Sequence, residues 1–110
     1  MQAQGVICSD QVRGFIESSE RTLVVMGEAV SRLTENPGDP GFLGILLQRA
    51  RGLEGEARSQ GFPELAEVTG ELQDILERVL SGSIAVGRDV TEVLVLSMEV
   101  LRELLSEAGR

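Results

Sequence analysis

Residues 39–62 read DPGFLGILLQRARGLEGEARSQGF, a stretch that combines a helix start signal, an apolar stripe and a helix stop signal. Asp39 is a good N-cap and Pro40 a good first helical residue. Gly61 is a natural C-cap, and Phe62 is expected to pack back under the turn. This stretch therefore predicts an amphipathic helix. Its inward residues, spaced three or four apart, are expected to be Phe42, Ile45, Leu46, Ala50, Leu53 and Ala57.

The segment before this helix has the same spacing of apolar residues. We expect a helix from Ser9 or Asp10, either of which can cap it, to about Glu35. Residues 36–40, N-P-G-D-P, then end it, and residues 1–8 are expected to form a disordered tail. The expected inward residues are Val12, Phe15, Ile16, Leu23, Met26, Val30 and Leu33.

Two more amphipathic helices follow. The third is expected to start at Pro63 and to end near Ser81, and the fourth to start at an Asp89 cap and to end near Glu107. Their expected inward residues are Leu65, Val68, Leu72, Ile75, Leu76 and Val79 in the third helix, and Val90, Val93, Leu94, Met98, Leu101, Leu104 and Leu105 in the fourth.

Four helices with short connections favour an all-α fold, an antiparallel up-down four-helix bundle. No segment shows the alternating pattern of a β-strand. A length of 110 residues suits one domain with one core, so residues 1–110 are expected to form a single domain.

The charge of the chain limits its partners. The net charge is −8, there is no lysine or tryptophan, and histidine is absent. Nucleic acids and acidic membrane surfaces attract basic patches, so we expect neither as a partner. No export signal or membrane span is visible, which favours a cytoplasmic location.

Metal and cofactor binding are also not expected. A zinc site needs several Cys or His ligands, and the chain has one Cys and no His. Acidic residues at helical spacing in the third helix form a stripe for which a solvated face is the ordinary explanation: Glu64, Glu67, Glu71 and Asp74.

The second helix carries a spaced motif made of Leu53, Gly55, Ala57, Gly61 and Phe62. It resembles the active-site helix of histidine phosphotransfer (Hpt) domains of the chemotaxis-kinase type, whose pattern is close to A-H-x-L-K-G-x-A-x-x-x-G-F. In that family the histidine takes and passes on a phosphoryl group. Arg51 stands at the histidine position of the pattern, and Glu54 at the lysine position.

The resemblance covers nearly the whole chain, from about Val12 to Leu105. Residues 15–23 look like the F-x-x-E-A-x-E-x-L opening of these domains, and residues 72–76, L-Q-D-I-L, match their later L-E-D-x-L segment. The resemblance implies a four-helix module of two-component phosphorelay signalling, with a response-regulator receiver domain or a histidine kinase as partner.

Four positions depart from the family at one site. A guanidinium stays protonated and has no nucleophilic lone pair, so Arg51 cannot take the role of the histidine. The second histidine of the family corresponds to Gly70, and the glutamate that hydrogen-bonds the reactive imidazole corresponds to Gln73. Together with Glu54, these departures predict a degenerate Hpt domain that is not an enzyme.

Helical geometry puts Arg51 about 140° from the middle of the apolar stripe, so we expect it to face solvent. In the family, the glycine at the position of Gly55 leaves room for a receiver domain. A receiver's phosphoacceptor pocket is a cluster of carboxylates, which Arg51 would meet with a fixed positive charge. The negative charge of Glu54 opposes this idea, and an inert solvated arginine remains the alternative. The expected partner-binding residues are Arg51, Glu54, Gly55, Arg58, Gly70, Gln73 and Asp74.

A different function is a structural or dimerisation bundle within a larger signalling protein. Four aliphatic residues of the first and fourth helices lie roughly 120–140° from the core stripes of their helices. They form a candidate self-association patch, although scattered exposed aliphatic residues are also normal. These residues are Val24, Val25, Val95 and Leu96.

Overall fold

The computed structural model describes residues 2–36, 39–85 and 87–108, with side chains from residue 11 onward. It contains four helices: α1 (Gln2–Glu35), α2 (Pro40–Gln60), α3 (Pro63–Leu80) and α4 (Arg88–Ala108). The described residues include no strand. Pro37 and Gly38 of the predicted first break lie outside the described residues.

The helices form an antiparallel up-down bundle, as the sequence predicts. Each helix packs against the next along the chain, and α1 also packs against α4, which closes the ring. The principal extents are 52 × 21 × 19 Å, because α1 is much longer than the other helices.

Two predicted helix starts are wrong. Helix α1 begins at Gln2 and not at Ser9 or Asp10. Residues 2–8 hold no proline, and Ala and Gln are good helix formers, so nothing in them stops the helix. Helix α4 begins at Arg88, which leaves Asp89 inside its first turn. Disorder of residues 1–8 in solution stays a prediction.

Both ends of α2 have the predicted geometry. The Asp39 carboxylate accepts hydrogen bonds from the backbone N–H groups of Gly41, at 2.8 Å, and Phe42, at 3.3 Å. Gly61 adopts φ 84°, the left-handed conformation that glycine adopts without steric cost. The N–H of Phe62 then bonds to the carbonyl oxygen of Ala57 at 2.8 Å, and the Phe62 ring stacks on Phe15 with centroids 5.3 Å apart. The stacking of Phe62 on Phe15 packs the turn between α2 and α3 against α1.

The core differs from the predicted stripes at a few positions. Ile45 and Val93 were expected to face inward but are exposed, while Leu43 is buried instead. In α2 the buried set forms a narrow seam of three- and four-residue steps, which leaves Ile45 at the edge. Four of the residues expected inward in α3 and α4 are only half-buried: Val68, Ile75, Val90 and Leu104.

Three polar side chains lie inside the bundle and were missed by a search for apolar periodicity. Ser19, Thr69 and Thr91 are buried. The Thr69 hydroxyl donates to backbone carbonyl oxygens of its own helix, and the Thr91 hydroxyl bonds to the carbonyl oxygen of Gly87. Because these hydroxyls find partners one turn back, α3 and α4 accommodate Thr69 and Thr91 in the core without an orphaned polar group.

Candidate functional site

The face shared by α2 and α3 carries the residue expected at the centre of the site. Arg51 is exposed, as predicted, with 58% of its side chain accessible. Its Nη2 lies 2.9 Å from Oε2 of Glu77 on α3, a side chain that is 52% accessible. The contact with Glu77 was not predicted, since the spacing of residues within one helix does not show which residue of another helix lies opposite. An exposed pair of this kind contributes only about 0.2–1 kcal/mol, so Arg51 can exchange partners readily.

Glu54 lies at the inner edge of the same face. Only 24% of its side chain is accessible, and its two oxygens accept from different helices. Oε2 accepts from Nη2 of Arg58, one turn along α2, at 2.5 Å, and Oε1 accepts from Nε2 of Gln73 on α3, also at 2.5 Å. The Glu54 carboxylate therefore forms an ion pair with Arg58 of its own helix and accepts a hydrogen bond from Gln73 of α3.

These contacts affect the ionisation of Glu54. The hydrogen bond from Gln73 lowers the pKa of the Glu54 carboxyl below its ordinary value, and the hydrogen bond and charge of Arg58 lower it further. Partial burial acts in the opposite direction and is outweighed. Glu54 is consequently a carboxylate at neutral pH.

Because Gly70 has no side chain, the Glu54 carboxylate has room beside α3. A Cβ atom at Gly70 would lie 3.1 Å from Oε2 of Glu54, tighter than an ordinary contact. A larger side chain at position 70 would thus require Glu54 to move. Gln73 also contacts the carbonyl oxygen of Thr69 at 3.4 Å, which helps to hold its amide over α2. We refer to Glu54, Arg58, Gly70 and Gln73 as the Glu54 cluster.

The structure brings most of the predicted site together. Glu54, Arg58, Gly70 and Asp74 line one shallow groove along α3, with a volume of about 660 Å³. Asp74 also pairs with Arg78 of its own helix at 3.1 Å. Gly55 is exposed on α2, and a Cβ built on it would meet no heavy atom within 4 Å. No packing within the described part of the chain therefore calls for glycine at position 55.

The predicted association patch is not a single surface. Val24, 62% exposed, lines a groove with Arg102 and Leu105, whereas Val25 is half-buried and lines a different groove, between α1 and α2. Val95 and Leu96 line a third groove, beside Thr34. Val24 and Val25 point about 100° apart around α1, and Val95 and Leu96 lie beside Thr34, farther along α1. The four residues therefore lie at three separate places.

The residues that the structure describes contain neither a metal-binding cluster nor a membrane-spanning helix. Among them, no three acidic or cysteine side chains are placed to share a metal ion, so the carboxylates of the α3 stripe do not converge. No helix within this part of the chain is long and apolar enough to cross a bilayer.

The chain is similar in sequence to part of a known protein. The chain is 22% identical over 92 residues to chemotaxis protein CheA of Borreliella burgdorferi, which is 84% of the chain and 11% of that protein. It is 24% identical over 91 residues to chemotaxis protein CheA of Bacillus subtilis, which is 83% of the chain and 14% of that protein. The chain is similar to a small part of CheA. No protein-family profile matches it.

The fold has a close solved counterpart. A computationally redesigned four-helix bundle superposes with a TM-score of 0.87, over 91% of this chain and 98% of the other, at 11% sequence identity. At that identity the match shows the four-helix architecture alone. The roles assigned to individual residues stay predictions.

Proposed function

We propose that the chain is a cytoplasmic, Hpt-like signalling module that binds a receiver or kinase domain and does not relay phosphate. The observation that carries the proposal is the α2/α3 face, where an exposed arginine stands at the position of the phosphoacceptor histidine. The chain holds no histidine to take its place. Arg51 offers a permanent cation with five N–H donors, which suits the carboxylates of a receiver's phosphoacceptor pocket.

The Glu54 cluster answers one objection to this proposal. A free carboxylate one turn from Arg51 would repel an acidic pocket. The Glu54 carboxylate instead bonds to Arg58 and Gln73, so its charge is partly neutralised and directed away from solvent. Arg51 is held only by an exposed pair with Glu77, which a receiver carboxylate can replace at low cost.

The second part of the proposal is that phosphotransfer has been lost. Incubation with an active histidine kinase or with a phosphorylated receiver, followed by intact-mass measurement, should show no phosphoryl adduct. The double variant Arg51→His with Glu54→Lys tests whether the surface still fits a kinase, since it restores both family residues. A stoichiometric adduct on the unaltered chain would contradict the proposal.

The binding role is tested by calorimetric titration against receiver domains encoded in the same genome. Arg51→Glu reverses the charge at the centre of the α2/α3 face and should weaken binding about tenfold or more. Arg49→Glu is the matched control, because Arg49 is also exposed on α2 but lines the groove toward α1. Equal loss in both variants, or none in Arg51→Glu, would rule out Arg51 as the contact.

A further inference from the structure

Helix α4 has a second apolar stripe, on the side away from the core. Val93, Leu96 and Val100 are 41%, 59% and 41% exposed. They stand at i, i+3 and i+7, and they lie roughly 120–180° from the middle of the buried stripe of the same helix. We refer to these three residues as the outer stripe. Their spacing is that of a seam into which another helix packs.

The outer stripe adjoins a groove between α3 and α4 at Val93, whereas Leu96 lines the groove beside Thr34. Val93 and Ser97 of α4 line the α3/α4 groove together with Val68 and Ile75 of α3, both of which are half-buried. Glu71 of α3 lies at the same groove and is exposed. An apolar floor with carboxylates beside it thus runs along the α3/α4 side of the bundle.

The negative charge of the chain is concentrated on the same side. Helices α3 and α4 carry ten acidic and three basic side chains, a net charge of −7 out of −8 for the whole chain. On α4 the outer stripe is flanked by exposed Glu92, Glu99 and Glu103. The field around the outer stripe is therefore strongly negative, and it favours a cationic partner.

We propose that the α3/α4 face binds a basic amphipathic helix, with apolar residues at three- and four-residue spacing and Lys or Arg beside them. Apolar anchors of such a helix fit the outer stripe, and its cations meet the flanking carboxylates. A second copy of the chain would bring two faces of the same sign together, which opposes pairing. The groove between α3 and α4 is the one that Glu54, Arg58, Gly70 and Asp74 line from the α2 side, so the two faces adjoin. Arg51 does not line it, and the proposal does not depend on Arg51.

The probe is an 18-residue amidated peptide of Leu and Lys only, with Leu at three- and four-residue spacing and a fluorescent label. Its binding to the full chain is measured by fluorescence anisotropy at low and at physiological salt. The double variant Leu96→Ser with Val100→Ser should weaken binding about tenfold, because both positions are exposed anchors. Val24→Ser is the matched control, because it removes an equally exposed aliphatic side chain from α1, and it should change affinity less than about twofold.

The contribution of charge is tested separately. Glu99→Gln with Glu103→Gln should weaken binding of the Leu/Lys peptide and reduce its salt dependence, whereas Glu17→Gln with Glu28→Gln, on α1, should have little effect. A Leu/Glu peptide of the same pattern should not bind. The proposal would be overturned if the face variants and the control variants lost equal affinity, or if the Leu/Glu peptide bound. It would also be overturned if sedimentation showed a homodimer that dissociates in the Leu96→Ser with Val100→Ser variant. The loss caused by Leu96→Ser with Val100→Ser should be the same in an Arg51→Glu background, so this proposal and the proposed receiver contact fail independently.

Discussion

At the scale of single residues, the departures from the Hpt pattern form one consistent arrangement. The Gln73 amide donates to Glu54, which a glutamate at position 73 could not do while ionised. Gly70 leaves the room that Glu54 occupies. A carboxylate at position 54 therefore accounts for both the amide at 73 and the missing side chain at 70.

A carboxylate at position 73 should be tolerated only when a cation stands at position 54. Gln73→Glu alone places two carboxylates together, and Glu54→Lys alone places a cation against Arg58. Each should lower the free energy of unfolding by about 1–2 kcal/mol, and the double variant should recover most of that loss by forming an ion pair. Urea denaturation at pH 7 measures the cycle, with Gln48→Glu, exposed on α2, as the control for the Gln→Glu change. Additive losses would show that positions 54 and 73 are uncoupled.

The same carboxylate predicts a pH dependence. Because its partners lower the pKa of Glu54 in the folded state, its ionised form stabilises the fold at pH values above its ordinary pKa. That contribution is lost as the pH falls from about 4.5 through the lower folded-state pKa. The difference in unfolding free energy between the unaltered chain and Glu54→Gln should thus be present at pH 7 and shrink toward pH 3. A difference that is constant over this range would contradict the assignment.

At the scale of the helix, α2 contains exposed glycines that its own packing does not need. Cβ atoms built on Gly52 and Gly55 would meet no heavy atom within 4 Å, and both residues are exposed. Glycine within a helix is about 1 kcal/mol less favourable than alanine. Gly61, by contrast, has a positive φ that alanine adopts only with strain.

Alanine substitutions along α2 should therefore separate stability from binding. Gly52→Ala and Gly55→Ala should each raise the free energy of unfolding by up to about 1 kcal/mol, and Gly61→Ala should lower it by a similar amount. Only Gly55→Ala should also weaken binding to a receiver domain, because only Gly55 lies on the side where the partner is proposed to approach. Denaturant titrations and calorimetry give the two quantities. Receiver affinity that is equal for Gly52→Ala and Gly55→Ala would remove Gly55 from the interface.

At the scale of the whole molecule, charge is distributed unevenly around the bundle. The α3/α4 half carries a net charge of −7, whereas the ion pairs found on the surface are few and exposed. Repulsion among like charges opposes the compact state, and exposed pairs offset little of it. The carboxylates on the outer surface of α3 and α4 thus favour binding of a cationic partner, and their mutual repulsion lowers the stability of the fold.

Salt should therefore stabilise the fold. Raising NaCl from 10 mM to 150 mM shortens the Debye length from about 30 Å to about 8 Å and screens the α3/α4 carboxylates from one another. The melting temperature should rise by a few degrees, and it should rise less in Glu71→Gln with Glu103→Gln. Circular dichroism melts at both salt concentrations make the comparison. A fall in melting temperature with salt would mean that ion pairs outweigh repulsion.

Much of the architecture is predictable because it follows from local patterns. The spacing of apolar residues predicts four helices, and Asp39 and Gly61 mark the ends of α2 correctly, since caps depend on a few neighbouring residues. The start of α1 at Gln2 was missed because a possible cap is not an obligatory one. Ile45 and Val93 were misplaced because a helix has more apolar positions than its neighbours can cover.

The four-helix bundle, the exposed cation at position 51 and the lack of an imidazole all follow from the order and kinds of residues, since periodicity is local to each segment and composition needs no coordinates. Tertiary structure alone decided that Glu77 faces Arg51, that Glu54, Gly70 and Gln73 fit one another, and that Val24, Val25, Val95 and Leu96 are not one patch. The physical reason is that such contacts depend on the rotation and relative height of neighbouring helices. Packing sets the rotation and the relative height of the helices, and the spacing of residues within one helix does not reveal either.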